Sequence, residues 1–264
     1  MAHLYNDKMN IEISGICRHP IKSIGVEEIT STIVKRDTTM PFDRVWALTH
    51  EKTKFDFSNP DWVPCSSFIR VSIAPKLMAI TASVDESNSL IELFHPELSS
   101  LKIKIDSPQF SERIVHWISS LCPEQGPQSF KICKVPNRGM TDTDYPSVSL
   151  LSFSSLDALS KQAGLNLDKR RFRGNLWMKN SIPFEEFNWV GSNIKIGEVE
   201  LEVVEPIERC NATKTNPQNG IRDIDTLQIL RDNFQHQNFG VYCKVLSDGE
   251  IKIGDRVKVN SGYN

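Results

Sequence analysis

Short alternations of apolar and polar residues recur along most of the chain and predict strands. The segments with this pattern include ITSTIVKRDTT (29–39), FIRVSIAPKLMAITASV (68–84) and EVELEVVEPI (198–207). Alternation over a few residues between Pro, Asp, Asn and Ser turns is typical of half-buried strands. Many short strands with few helices predict a mainly β (α+β) fold, a barrel or sandwich with helices attached.

Three segments have the composition and spacing of helices: residues 111–122, 152–165 and 225–234. We predict Ser111 as the N-cap of the first helix and Ser154 or Ser155 as the N-cap of the second, because short hydroxyl side chains accept from free amides there. Residues 239–259 read as two strands around an Asp-Gly pair, so we predict a closing hairpin.

Charge and composition then narrow the class of protein. The 264 residues carry 31 Lys and Arg against 33 Asp and Glu, and this balance disfavours nucleic acid or an anionic membrane as a partner. The longest apolar stretches fall far short of a membrane helix, and the first residues lack the pattern of a secretory signal. We therefore expect a cytoplasmic protein in which any anion-binding site depends on local clusters of Arg and Lys.

Six cysteines are scattered without CxxC spacing, which argues against a disulfide scaffold and against a zinc or iron–sulfur site. Cys210 differs from the others because it follows a strand directly, beside Arg209 and before a polar loop. A fixed cation favours the thiolate, the form that attacks electrophiles or binds soft metals. The local sequence also fits a buried cysteine acting as a small apolar residue.

Basic residues near strand ends are candidates for holding a phosphate or a carboxylate. Lys22 and Ser23 follow the first strand in HPIKS, Arg44 begins another strand in FDRVWAL, and Arg173 precedes GNLWM. The bidentate guanidinium group suits such anions, although each of these charges alone is more typical of a solvated surface. No P-loop and no GxGxxG motif is present. A cysteine hydrolase that pairs Cys210 with His19 or His236 stays open at this point.

The order of these motifs resembles that of MOSC proteins, the family named for the C-terminal part of molybdenum-cofactor sulfurases. HPIKS, FDRVWAL and the strands after them resemble the N-terminal β-barrel domain often fused to MOSC. GNLWM, ERCNATKTNP, NFGVYCKV and EIKIGDRVKV resemble the MOSC domain itself. The resemblance implies an N-terminal β-barrel-type domain at 1–125 packed tightly on a MOSC domain at 126–264, with a shared cofactor cleft.

The resemblance also implies roles for individual residues. Cys210 corresponds to the cysteine that supplies a thiolate to molybdenum and takes part in catalysis in relatives that reduce N-hydroxylated compounds. The positions implied to contact molybdopterin are Lys22, Ser23, Arg44, Arg173, Asn175, Arg209, Thr213 and Tyr242. Glu208 departs from those relatives, several of which have Ser before the arginine, and the loop after Cys210 is more polar than theirs. These departures are closer to a short bacterial subgroup.

The resulting hypothesis is a molybdenum-cofactor oxidoreductase that reduces small N-hydroxylated substrates. No cysteine cluster of the plant ferredoxin type is present, so electrons would come from a separate flavin or iron–sulfur protein. The alternative is a carrier of molybdenum cofactor or sulfur without turnover. A third hypothesis is thiol chemistry at Cys210 without metal.

Overall fold

The computed structural model describes residues 10–259, and the largest of its sheets is a mixed sheet of eight strands that come from both ends of the chain. Its strands, in order across the sheet, are β15 (Val257–Val259), β11 (Asn193–Ile196), β12 (Val199–Glu208), β13 (Asn238–Val245), β9 (Val148–Ser152), β10 (Leu176–Lys179), β1 (Glu12–Arg18) and β2 (Glu27–Ile29). Only β9 and β10 run parallel, joined by a helical crossover.

Three smaller sheets complete the strand content. A three-stranded meander holds β5 (Thr81–Asp85), β6 (Leu90–His95) and β7 (Leu98–Lys104). Two pairs join β4 (Ala47–His50) to β8 (Ser129–Cys133) and β3 (Ser31–Val34) to β14 (Gly249–Lys252). The mainly β fold with few helices that the sequence predicts is confirmed.

The three α-helices of the described residues begin close to the predicted positions, but the N-caps predicted for the first two helices are both wrong. Helix α1 (Phe110–Ile118) has Gln109 at its N-cap, and the hydroxyl of Ser111 instead accepts from the amide of Ile132 at 2.8 Å. Helix α2 (Phe153–Ala163) is capped by Ser152, whose hydroxyl accepts from the amide of Ser155 at 3.2 Å. Helix α3 (Thr226–Phe234) is capped by Asp225.

Two strand predictions are wrong as well. Residues 68–80 form turns and a 3-10 helix at Pro75–Ala79, because Pro75 supplies the fixed φ of a first helical turn and cannot donate to a strand partner. The predicted C-terminal hairpin is absent from the described chain. Strand β14 pairs with β3, and Asp248 accepts from the amide of Arg36 at 2.7 Å rather than closing a turn onto β13.

Two main cores lie side by side. One is made almost entirely of residues 21–132, with Ile69 and Leu77 among its buried side chains, and Ala212 packs against it. The other combines β1 with strands of the C-terminal half, so Ile13 and Ile16 pack against Leu176 and Val241. The boundary predicted at 125/126 stays a prediction, and strands from before it hydrogen bond within the sheet formed after it.

Candidate functional site

A cavity of about 260 Å³ is lined by residues from both halves of the chain, and it collects most of the predicted site residues. The predicted residues in its lining are Lys22, Ser23, Arg44, Arg173, Arg209, Cys210, Thr213 and Tyr242. They come from loops and strand ends that are up to 220 positions apart in sequence. This convergence is what a shared cleft between the two halves requires.

Lys22 is held rigidly in the wall, with only 4% of its surface exposed. Its ammonium donates to the backbone oxygen of Met140 at 2.7 Å and to the carboxylate of Asp142 at 2.6 Å. Burial alone raises the pKa of Asp142, but the charges of Lys22, Arg44 and Arg209 outweigh it, and the net shift is downward. Asp142 is therefore ionised at neutral pH and accepts the hydrogen bond from Lys22 as a carboxylate.

Arg44 is placed by a second buried pair. Asp43 is fully buried and bonds to the guanidinium of Arg44 and to the amide and ring of His19. Burial raises the pKa of Asp43, yet the attraction of Arg44 and the bonds from His19 leave it well below its usual range. Burial, with the nearby charge of Arg173, lowers the pKa of His19 to about 3, so this imidazole is neutral.

Arg173 is a cation without a carboxylate partner among residues 10–259. It donates only to the backbone oxygen of Gly25, at 3.3 Å, while its own backbone oxygen accepts from Arg44 at 2.8 Å. Burial and the neighbouring charge of Arg44 lower the pKa of Arg173 to about 9. Asp43 balances the charge of Arg44, so the charge of Arg173 is left without an acidic partner in the described chain and favours an anionic ligand.

Arg209 is fixed by backbone carbonyls and aromatic rings rather than by an acid. It donates to the oxygens of Phe172 and Phe239, each at 2.9 Å, and its guanidinium lies over both rings. Burial lowers its pKa to about 10. The carbonyl contacts orient the group, but within the described chain no ion pair neutralises its charge.

Cys210 is exposed and lies directly after β12, at the N-cap of a 3-10 turn formed by Asn211–Lys214. Its backbone oxygen accepts from the amide of Thr213 at 3.2 Å and from the hydroxyl of Thr213 at 3.1 Å. Thr213 also shares a 2.7 Å hydrogen bond with Thr226. Both contacts hold the turn, so the thiol is presented at the cavity from a fixed backbone.

The remaining predicted residues differ in their placement. Tyr242 lines the cavity, and burial together with the Asp142 carboxylate raises its pKa, so its phenol stays protonated. Asn175 is not in the lining: its side chain accepts from Ser149 at 2.9 Å and donates to the Cys17 oxygen at 3.2 Å. The amide of Asn175 thus ties β9 to β1 behind the cavity. Glu208 does line the cavity, at its exposed side.

The lining also contains residues that were not predicted as contacts, and those with a thiol or a charged side chain, besides Glu208, are Cys65, Arg70, Asp142 and Arg171. No local motif marks them, and Asp142 meets Lys22 across 120 positions. The two histidines of the hydrolase hypothesis are absent from the lining as described. His19 is buried against Asp43, and His236 packs among phenylalanine rings.

The donor set indicates what kind of ligand fits. Among residues 10–259, no group of three or more His, Cys, Asp or Glu side chains is placed to hold a metal ion. A metal at Cys210 would therefore need most of its ligands from a bound organic group. One soft thiol together with partly uncompensated cations suits a molecule with an anionic phosphate and a soft metal, as molybdopterin has. The residues present fit such a cofactor.

Family models match both halves of the chain. The MOSC N-terminal beta barrel domain matches residues 10–122, and the MOSC domain matches residues 139–258. The chain belongs to the MOSC family, and its two halves are an N-terminal MOSC β-barrel domain and a MOSC domain. This family is associated with molybdenum cofactor.

Several characterised proteins are similar in sequence. Mitochondrial amidoxime-reducing component 1 of Mus musculus is 23% identical over 274 residues, covering 90% of this chain and 79% of the mouse protein. Molybdenum cofactor sulfurase of Drosophila ananassae is 26% identical over 161 residues, covering 56% of this chain and 20% of that protein. The chain spans only 14% to 33% of the length of the first four sulfurases.

Among solved structures, the YUAD protein from Bacillus subtilis covers 97% of this chain and 98% of its own, at 10% identity and a TM-score of 0.43. That likeness is too low to support any further statement. None of the helices between residues 10 and 259 has the length and apolar composition needed to cross a membrane.

Proposed function

We propose that this protein binds molybdenum cofactor and reduces small N-hydroxylated compounds, with Cys210 as the protein ligand to molybdenum. The observation that carries the proposal is one cavity in which an exposed thiol faces the same space as Arg173 and Arg209, two cations without an acidic partner in the described chain. The mouse relative bears the name amidoxime-reducing component, and amidoximes are N-hydroxylated amidines.

In this proposal, Arg173 and Arg44 hold the anionic end of the cofactor and Arg209 holds a polar group nearer to Cys210. Lys22 acts through Asp142, which keeps the ammonium in place. The bound cofactor supplies the two-electron redox chemistry. The phenol of Tyr242 stays protonated and is available to donate a hydrogen bond to a substrate oxygen. Electrons come from a separate flavin or iron–sulfur donor, and a cytoplasmic location stays a prediction.

The first test is the molybdenum and pterin content of protein expressed in a cofactor-competent host, comparing wild type with Cys210→Ala. We expect near-stoichiometric molybdenum in the wild type and its loss in the variant. Cys122→Ala removes a half-buried thiol far from the cavity lining and serves as the matched control. A Cys210→Ala protein that retains molybdenum and reduces an amidoxime with an artificial reductant would contradict the proposal.

The exposure of Cys210 supports a second candidate function, a carrier of molybdenum cofactor or sulfur. A thiol that transfers a bound group to an acceptor must be accessible to that acceptor. A carrier would release its cofactor quickly to an acceptor and would not reduce N-hydroxylated compounds. Cofactor exchange and turnover, measured on the same loaded preparation, separate the two candidates.

A further inference from the structure

The cavity wall contributed by residues 65–72 carries a cation that the proposed cofactor contacts do not use. Arg70 lies in a turn fixed by its own backbone oxygen, which accepts from the amides of Ile73 at 2.9 Å and Ala74 at 2.8 Å. Its side chain lines the cavity together with Cys65 and Ser72. The backbone of this segment is therefore rigid where the guanidinium enters the cavity.

The guanidinium of Arg70 is left with unused donors. Its Nε is buried without a hydrogen-bond partner, and its one polar side-chain contact in the described chain is Nη1 to the sulfur of Cys65, at 3.7 Å. No carboxylate of residues 10–259 pairs with it. A buried charged donor without an acceptor is costly, so its retention in a cavity wall points to a ligand.

A second unpartnered guanidinium nitrogen lies in the same lining. Arg171 is 3% exposed and pairs with Asp223 through two bonds of 2.8 and 2.7 Å, yet its Nε is also buried without a partner. The two arginines belong to one patch, because Arg222, adjacent to Asp223, donates to the backbone oxygen of Ser72 at 2.5 Å. Both arginines thus line the cavity where residues 70–72 meet residues 222–223.

We propose that Arg70, with Arg171 in the same lining, forms a second oxyanion-binding subsite in this cavity, which holds a carboxylate or phosphate group through the Nη donors of Arg70. The subsite uses neither Arg44 nor Arg173. Arg70 and Val71 line the same cavity as Cys210 and Ala212. An oxyanion here therefore shares the cavity with the thiol. It belongs either to the substrate or to the cofactor.

Calorimetric titration of cofactor-free protein with inorganic phosphate tests the subsite directly. We expect two binding events in the wild type, one weakened about tenfold or lost in Arg70→Met and the other weakened in Arg173→Met. Arg70→Lys keeps the positive charge but loses the bidentate geometry of the guanidinium, so it should bind phosphate with intermediate affinity. Arg113→Met removes an exposed arginine of α1 and is the matched control. Phosphate binding by Arg70→Met equal to that of the wild type would overturn the proposal.

We expect Arg70→Met to fold as the wild type does, so that a loss of phosphate binding does not reflect unfolding. Removing a cation that has no acidic partner should leave the unfolding midpoint of Arg70→Met at or above that of the wild type, and a urea titration verifies this. The titration also stands apart from the proposed function, because it needs neither cofactor nor turnover. If the wild type never acquires molybdenum, the proposed function fails while the subsite is still decided by phosphate binding.

Molybdenum content and kinetics of the cofactor-loaded protein then identify whether the oxyanion belongs to the substrate or to the cofactor. This second experiment rests on the proposed function. If the group belongs to the substrate, Arg70→Met keeps its molybdenum, and KM rises about tenfold for a carboxylate-bearing amidoxime but not for the uncharged parent compound. If it belongs to the cofactor, the molybdenum content of Arg70→Met falls and Arg113→Met retains the wild-type content.

Discussion

Three residues of the cavity wall have left-handed backbone although none is glycine: Ser23 (φ 69°), Arg44 (φ 53°) and Arg173 (φ 47°). Such conformations cost non-glycine residues roughly 1–2 kcal/mol each and cluster at functional sites. Each aims a polar side chain at the cavity from a loop rather than from a regular element. Preorganisation for an anion thus has a cost in the stability of the ligand-free protein.

Replacing Ser23 with glycine tests this trade-off at a single residue. Ser23→Gly should raise the free energy of unfolding by up to about 1 kcal/mol, because glycine adopts positive φ without steric cost. The same variant should bind phosphate less tightly if the hydroxyl contacts the ligand. Asp37→Gly relieves a similar φ of 57° at an exposed turn outside the lining, so it should gain stability without losing affinity. Equal affinity losses in both variants would contradict a role for the hydroxyl.

Glu186 is a buried carboxyl outside the site, and its titration should govern part of the pH dependence of stability. Burial raises its pKa from 4.5 to about 7, with only Ser155 as a side-chain partner, at 3.3 Å. The folded state therefore binds the proton more tightly, and stability falls as pH rises from about 4.5 to about 7. Glu186→Gln should be more stable than the wild type by about 3 kcal/mol at pH 8 and nearly equal at pH 4.5. Urea unfolding of the wild type and Glu186→Gln at both pH values measures this difference, and Glu200→Gln, at an exposed position, is the control. A difference in the free energy of unfolding between Glu186→Gln and the wild type that does not change with pH would contradict the prediction.

At the scale of elements, the loop at 216–223 joins the two halves beside the cavity. Gly220 has φ +71°, and a Cβ there would lie 2.4 Å from the Cα of Lys76. Gly220→Ala should therefore lower the free energy of unfolding by about 2 kcal/mol or more, since neither backbone can yield easily. Gly164→Ala has a similar φ of +68° with no atom within 4 Å, so it measures the backbone strain alone. Equal losses in the two variants would show that the Lys76 contact is unimportant.

Elements set by local chemistry were predictable, and those set by distant partners were not. The helix predicted at 225–234 forms as α3, with Asp225 at its N-cap. Strand β14 was predicted to form a hairpin, but its partner β3 lies about 220 positions earlier. The alternation of apolar and polar residues predicts a strand without indicating which strand it pairs with. The site followed the same rule. Residues inside motifs were found, whereas Arg70 was missed because only the tertiary fold shows that its nitrogens lack partners.

At the scale of the whole molecule, the two halves share a sheet as well as a cavity. Strand β1 lies between β10 and β2, and its apolar residues complete the core of the C-terminal strands. Cutting the chain at the predicted boundary would leave β10 as an open edge and expose Leu176 and Met178, which are now at most 1% accessible. The family boundary therefore does not coincide with a boundary between independently packed cores.

We accordingly expect that residues 126–264 expressed alone will lack a cooperative thermal transition and the near-ultraviolet circular dichroism of fixed aromatic packing. Co-expression with residues 1–125 should restore both signals, because β1 and β3 then supply the missing partners of β10 and β14. The restored complex should also regain phosphate binding, since Lys22 and Arg44 come from one fragment and Arg173 and Arg209 from the other. A fragment 126–264 that unfolds cooperatively and binds phosphate as tightly as the intact chain would show that the anion site belongs to the MOSC domain alone.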